Sequence, residues 1–277
     1  MSLNLGMAVL FLVATGCSLF SPRALPLPTS PLKLLVADVT LKAPVTSPTD
    51  LQSFHEPLAP EVEPVLLAQL IEEVEVKAQR LFIEELAQQE GFTVVPFAEA
   101  RRMRANLDST QKELDATQLH TLGTQAGADV VLSGHILDFG RVRWQYWVPG
   151  LAVSMLTETL IVGAATGFNP AIMAATAGSE LLTDVPFWWG GAYVAGWAFR
   201  PVRIQIEALQ VTGCAARVWH EQEVVVLIPW KTLAKYPPEE RQRKEVQLEV
   251  NLSRALAEVA ESAGRELRLK PCENEVS

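Results

Sequence analysis

The sequence lacks the short motifs that mark most catalytic and metal centres. It contains no HExxH, CxxC, GxSxG or phosphate-binding glycine loop, and its three cysteines and four histidines are scattered along 277 residues. Such motifs hold metal ligands, or a nucleophile and its base, at fixed spacing, so their absence argues against those chemistries. We therefore expect a protein that is not an enzyme and that needs no metal and no cofactor.

Positive charge is also scarce. The chain has 23 Lys and Arg against 32 Asp and Glu, a formal net charge of −9 at pH 7, which would repel nucleic-acid phosphates. Arg101, Arg102 and Arg104 form a basic cluster, but three cations on one short helix favour a solvated face. We expect no nucleic-acid partner.

The first 16 residues carry no charged side chain, and the apolar run Met7–Ala14 is too short for a membrane span of about 20 residues. The small residues 14–16 precede Cys17, a pattern that resembles the bacterial lipobox. The resemblance implies that the signal peptide 1–16 is removed and that Cys17 becomes the acylated first residue, carrying palmitate among its chains. Because the leader has no Lys or Arg and Ala14 stands where Leu is usual, a plain secretory signal remains the alternative.

Residues 17–31 are rich in Pro and Ser, a composition that gives an extended tether. Each buried acyl methylene contributes about 0.8 kcal/mol, so more than one chain on Cys17 would anchor the protein durably in membrane lipid. Ser18 resembles the residue that sends such lipoproteins to the outer membrane, facing the periplasm. Export also permits a disulfide between Cys214 and Cys272, provided that their Cα atoms come within about 7 Å.

The chain after the tether alternates strands and helices. Period-2 and period-3.6 patterns predict strands and helices in turn, with a hairpin near the end and a final helix. The predicted elements are strand Leu32–Leu41, helix Val62–Gln89, strand Phe92–Phe97, a short helix over 98–107, a helix capped by Asp115 and ended by Gly127, strand Asp129–Trp144, hairpin strands 202–211 and 216–227, and helix Val246–Leu269.

The stretch "GADVVLSGHILDF", Gly127–Phe139, resembles the core of the CsgG and TolB amino-terminal-domain superfamily of bacterial envelope proteins. Two other features resemble that core. One is a hairpin with Thr212 and Gly213 at its turn and Trp219 soon after, and the other is the segment "FTVVPFAEARRMRANL". The resemblance covers about 30–144 and 200–268. It implies an α/β (α+β) sandwich, a mixed sheet of about five strands with packed helices, formed by residues 32–146 and 200–270 and followed by a tail at 271–277.

Residues 147–199 do not fit that core and are predicted to be an insertion. Their only charged side chains are Glu158, Glu180 and Asp184. The uncharged run 159–179 is long enough to cross a bilayer, but Asn169 and Pro170 interrupt it. We therefore predict a hydrophobic helical hairpin.

Tryptophans border this insertion, and small residues occur inside it. Trp and Tyr prefer membrane interfaces, and GxxxG lets helices approach closely. We predict membrane or oligomer contact through these residues: Trp147, Gly163, Gly167, Trp188, Trp189 and Trp197. The alternative is a hairpin buried against the sheet. The membrane-inserted segments of CsgG are amphipathic β-hairpins, and residues 148–199 lack such alternation, which argues against a pore.

Two functions are consistent with the sequence. The first is a lipid-anchored cell-envelope scaffold for assembly or export at the outer membrane, with a homo-oligomer as one form. The second is a monomeric periplasmic adaptor that regulates a protein partner such as a cell-wall synthase.

Overall fold

The computed structural model describes residues 30–54, 56–107, 113–141, 144–189, 193–194, 197–213 and 216–269. The strands are β1 Leu32–Leu41, β2 Phe92–Val94, β3 Val130–Phe139, β4 Tyr193–Val194, β5 Trp197–Gln210 and β6 Arg217–Ile228. The helices are α1 Pro48–Leu51, α2 Glu63–Ala87, α3 Phe97–Ala105, α4 Ala116–Ala126, α5 Trp144–Ala165, α6 Pro170–Trp189, α7 Trp230–Leu233, α8 Pro238–Arg241 and α9 Lys244–Glu266.

The six strands form one mixed sheet. β1 runs parallel to β2 and β3, whereas β5 runs antiparallel to β3, β4 and β6. The long β5 pairs with β3 and the two-residue β4 along one edge and with β6 along the other. The predicted α+β fold, a mixed sheet with packed helices and an added helical hairpin, is confirmed.

The main core lies between one face of the sheet and the helices α2 and α9. Alternate strand residues point to this face, and the apolar stripes of the two helices pack on them. Its fully buried members include Leu34, Val36, Phe82, Leu86, Leu132, Ile204, Ile206, Leu252, Leu256 and Val259. A smaller core on the opposite face is closed by α3 and α4 and contains Leu35, Ala37, Val131 and Leu122.

A β-bulge in β1 decides where its polar residues point. The register with β3 shifts between Val36 and Asp38, and the side chain of Gln79 donates to the carbonyls of Val36 and Ala37, at 2.9 and 3.0 Å. The extra residue keeps Asp38 off the main core face and places it opposite Ser133, on the second face of the sheet.

The strand predicted over Asp129–Trp144 ends earlier, at Phe139. Gly140 has a φ of +84°, which a residue with a side chain rarely adopts, and its N–H donates to the carbonyl of Pro201 at 2.7 Å. The chain turns there and enters α5 at Trp144. The helix end predicted at Gly127 is found, with a φ of +57°.

Candidate interaction surfaces

The insertion forms an antiparallel pair of helices, α5 and α6. Gly167 and Phe168 take positive φ values of 65° and 59°, and Asn169 Oδ1 accepts from the N–H groups of Ala171 and Ile172 at 3.0 and 3.4 Å. Asn169 therefore caps α6, and Pro170 occupies its first position, where a missing N–H is harmless. The break predicted from Asn169 and Pro170 lies at this turn.

The two hairpin helices pack principally against each other rather than against the sandwich. Gly163 is buried at their contact: a Cβ there would lie 3.1 Å from the Phe168 ring and 3.3 Å from the sulfur of Met173. Gly167 lies in the turn, with no neighbour within 4 Å of the equivalent Cβ position. The structure thus places only Gly163 of the GxxxG pair between the helices.

Much of the outer hairpin surface is apolar. Leu182 is 81% exposed, and six further large apolar side chains of the hairpin are 43 to 65% exposed: Val153, Leu156, Leu160, Ile161, Phe168 and Ile172. An exposed apolar patch of more than a few hundred Å² generally marks contact with lipid or protein. Within the described ranges, no helix combines the length and the apolar character needed to cross a bilayer.

The predicted tryptophans lie at one end of the hairpin. Trp147 is in the first turn of α5, Trp188 and Trp189 end α6, and Trp197 begins β5. Because the helices are antiparallel, these positions belong to the end that joins the sheet, and the turn with Phe168 forms the opposite end. At 1.5 Å per residue the two ends are about 30 Å apart.

A cleft lies on the second sheet face beside α4, which supplies Ala116 and Leu119 to its wall. It has a volume of about 350 Å³ and is lined by Asp38, Ser133, His135, Glu207 and Arg217 among others. The guanidinium of Arg217 lies 2.7 Å from Glu207, and His135 Nδ1 is 2.8 Å from the hydroxyl of Thr40.

Asp38 also lines a neighbouring cleft of about 330 Å³ with Glu72, Arg101 and Arg104. Two residues of the basic cluster that was predicted to be solvated, Arg101 and Arg104, therefore face a cleft. Burial raises the pKa of Asp38 to about 6, since removing water disfavours the charged carboxylate. Burial lowers the pKa of His135, so its imidazole is neutral at pH 7.

Sequence reasoning missed this pair of clefts. The signal was present as alternating polar residues in strands, Ser133 with His135 and Gln205 with Glu207, which indicates a sheet face that is not fully covered. The strand register and the β1 bulge, which bring Asp38 to them, cannot be read from that pattern.

Among the described residues, no group of three or more His, Cys, Asp or Glu side chains could hold a metal ion. Of the histidines, His120 is in α4, His135 in β3 and His220 in β6, where it lies 3.7 Å from Glu207. The predictions for Cys17 and for a Cys214–Cys272 disulfide concern positions outside the described residues, and they stay predictions.

No protein-family model and no curated protein matches the sequence. Among solved structures, the chain is similar to the LpoB C-terminal domain from Salmonella enterica, with a TM-score of 0.30 and 11% identity over 79% of this chain and 93% of that one. It is also similar to the hypothetical protein CT253 from Chlamydia trachomatis, with a TM-score of 0.36 and 9% identity over 86% and 99% of the two chains.

A third similar structure is lipoprotein GNA1162 from Neisseria meningitidis, with a TM-score of 0.30 and 10% identity over 83% of this chain and 99% of that one. Similarity at this level identifies no family and carries no function. The resemblance to CsgG and the TolB amino-terminal domain stays a prediction, and the function is argued from the residues of this chain.

Proposed function

We propose that this chain is a bacterial envelope lipoprotein that acts as a scaffold for assembly or export. Acyl chains on Cys17 anchor it in the outer membrane, and the 17–31 tether lets the α+β domain face the periplasm. The proposal draws on the uncharged leader, the lipobox-like residues 14–17 and the Pro/Ser-rich tether. The scaffold works through surface contacts and catalyses no reaction.

The observation that carries this proposal is the apolar exterior of the hairpin. Leu156 is 65% exposed and Leu182 is 81% exposed. They lie on helices that pack against each other, and the sandwich does not cover these two side chains. We propose membrane lipid as the surface that the hairpin contacts. A helical surface of this kind binds the membrane interface in proportion to the apolar area that it buries there, so the contact is expected with or without the acyl chains on Cys17.

Vesicle binding tests the lipid contact separately from the anchor. The full chain with Cys17→Ser is mixed with phosphatidylethanolamine vesicles and floated on a density gradient. We expect this protein to float and a Leu156→Gln/Leu160→Gln/Leu182→Gln variant to remain at the bottom. The matched control, Val62→Gln/Val65→Gln, removes exposed apolar side chains elsewhere and should float. No flotation of the Cys17→Ser protein, or equal flotation of all three, would refute the hairpin contact.

The anchor and the oligomer have their own tests. Metabolic labelling with palmitate should mark the wild-type chain and not the Cys17→Ser chain. Light scattering of the detergent-extracted protein should give a multimer if the scaffold is built from copies of this chain. Unlabelled wild-type protein would refute the lipoprotein assignment, and a monomer would refute the oligomeric scaffold.

A monomeric adaptor that regulates a protein partner is the second candidate. The polar clefts around Asp38 favour it, because an open, charged sheet face offers groups for a specific protein contact. Crosslinking in intact cells distinguishes the two: an adaptor captures one envelope protein through the cleft residues, and a Glu207→Lys variant loses it.

A further inference from the structure

The strand β6 is an edge of the sheet. Its 12 residues pair with β5 on one side, and no other described strand pairs with it. An edge strand presents unpaired backbone N–H and C=O groups along its free side, and natural proteins usually shorten such an edge or cover it. This edge is long, and Glu221 partly covers it, since its Oε1 accepts from the N–H of Gln222 at 3.2 Å. A strand that brings its own cations would draw this carboxylate off the edge and pair with the backbone.

The two faces of β6 differ in character. On the uncovered face, Val224 and Val226 are 45% and 36% exposed, within the apolar run Val224–Ile228. On the face toward α9, Glu221 accepts from the hydroxyl of Ser262 at 2.9 Å, and Glu223 is a neighbour of Glu258. A strand laid beside β6 would therefore meet valines on one face and carboxylates on the other.

The carboxylates along this flank outnumber the cations. Glu221, Glu223, Glu258 and Glu261 lie on β6 and α9, where Arg254 pairs with Glu258 at 2.9 Å and Arg265 pairs with Glu261 at 2.6 Å. Burial is the main cause that raises the pKa of Glu223, the N–H of Val224 acts in the opposite direction, and the neighbouring Glu258 and Glu221 raise the pKa further. A basic side chain from a partner would relieve this repulsion.

Two copies of β6 pair unfavourably when the pairing is centred on Gln222. Antiparallel pairing of two β6 strands about Gln222 would put Glu221 of one copy opposite Glu223 of the other, and like charges directly opposite destabilise a strand pair. The charge pattern selects a different strand, with basic residues on the α9 side and β-branched residues on the other.

We propose that β6 is a docking edge for an extended segment of a partner protein in which Lys or Arg alternates with apolar residues. The segment adds a strand to the sheet, its backbone pairs with β6, and its cations face Glu221 and Glu223. This site is separate from the hairpin, so it does not depend on the lipid contact.

A labelled peptide of alternating lysine and valine, six residues long, probes the edge by fluorescence anisotropy on the Cys17→Ser chain. We expect it to bind and to protect β6 amides from hydrogen exchange, and we expect an alternating glutamate and valine peptide not to bind. In Glu221→Lys/Glu223→Lys the preference should reverse, with a loss of at least about tenfold for the lysine peptide, since two opposite-charge pairs become like-charge pairs.

The control variant Gln222→Lys adds positive charge on the other face of the same strand and should bind the lysine peptide as tightly as wild type does. A lysine peptide with its central valine replaced by proline cannot complete the ladder and should not bind. Binding of this proline peptide, or binding by Glu221→Lys/Glu223→Lys equal to wild type, would overturn the proposal. A wild-type dimer that Val224→Lys dissociates would overturn it in favour of a second copy.

Discussion

Arg203 and Asp138 face each other across the ladder between β3 and β5, with Nε of Arg203 2.7 Å from Oδ2 of Asp138. Their side chains are 5% and 3% exposed, so both charges are removed from water. The desolvation cost of such a pair is large, and each charge is tolerated because the other is present. The pair lies near the point where the chain leaves β3 at Gly140 and enters the hairpin.

We expect Asp138→Asn to destabilise the protein by about 3 to 5 kcal/mol, because a buried guanidinium would lose its counter-charge. Urea denaturation of the Cys17→Ser chain measures the change. The double replacement Asp138→Leu/Arg203→Met should be far less destabilising, since it removes both charges together. A loss below about 1 kcal/mol for Asp138→Asn would show that the pair behaves like a solvated one.

This ion pair shows what the sequence could not provide. Asp138 and Arg203 are far apart in the chain, and their meeting depends on the register of β3 with β5, which shifts at a bulge between Ile136 and Asp138. A period-2 pattern gives the face of a residue only while the strand is regular. The same limitation hid Asp38, which another bulge moves to the second face.

Locally encoded features were predictable. β1 and the helices α2 and α9 follow from periodic apolar residues, and the hairpin break follows from Asn169 and Pro170, whose capping role is set by their own chemistry. The strand after Asp129 was predicted too long because the turn at Gly140 depends on its φ of +84°, which the sequence does not show. The free edge of β6 and the two clefts result from the order in which the strands pair, and no local sequence pattern specifies that order.

Asn251 on α9 supports a third bulge, the one at Arg200 and Pro201 in β5. Its side-chain N–H₂ donates to the carbonyls of Arg200 and Val226 at 2.5 and 3.2 Å, and the residue is fully buried. We expect Asn251→Leu, similar in size, to cost about 2 kcal/mol, because two buried carbonyl groups lose their donor. Thermal denaturation measures it, with the exposed α9 change Arg254→Leu as the control. A variant as stable as wild type would show that the bulge needs no donor.

The hairpin offers a matched pair of glycines. A side chain at Gly163 would collide with Phe168 and Met173, whereas the position of a Cβ at Gly178 is open. We expect Gly163→Leu to loosen the contact of α5 with α6 at a cost of about 1 to 3 kcal/mol, and Gly178→Leu to leave the contact intact. Amide hydrogen exchange in 144–189 reports the difference. Equal protection in the two variants would mean that the helices do not pack at Gly163.

Asp38 gives the domain a dependence on pH. Its pKa rises from 3.8 to about 6 in the folded protein, chiefly through burial, with Glu113 and Glu75 acting in the same direction and Arg104 and Lys42 opposing. At low pH the carboxyl is protonated in both states and imposes no penalty. As the pH rises past the unfolded value, the unfolded chain ionises first, so stability falls between about pH 4 and pH 6 and remains lower above.

We therefore expect Asp38→Asn to be more stable than wild type at about pH 8, by about 3 kcal/mol, and to lose most of that advantage at about pH 4. The quantity to measure is the difference in unfolding free energy between variant and wild type, because the lowered pKa of His135 makes both proteins less stable as the pH falls and cancels in the difference. Glu84→Gln, which removes an exposed carboxyl group from α2, is the matched control. A constant difference for Asp38→Asn would show that its carboxylate is hydrated in the folded protein and that the two clefts meeting at Asp38 are filled with solvent.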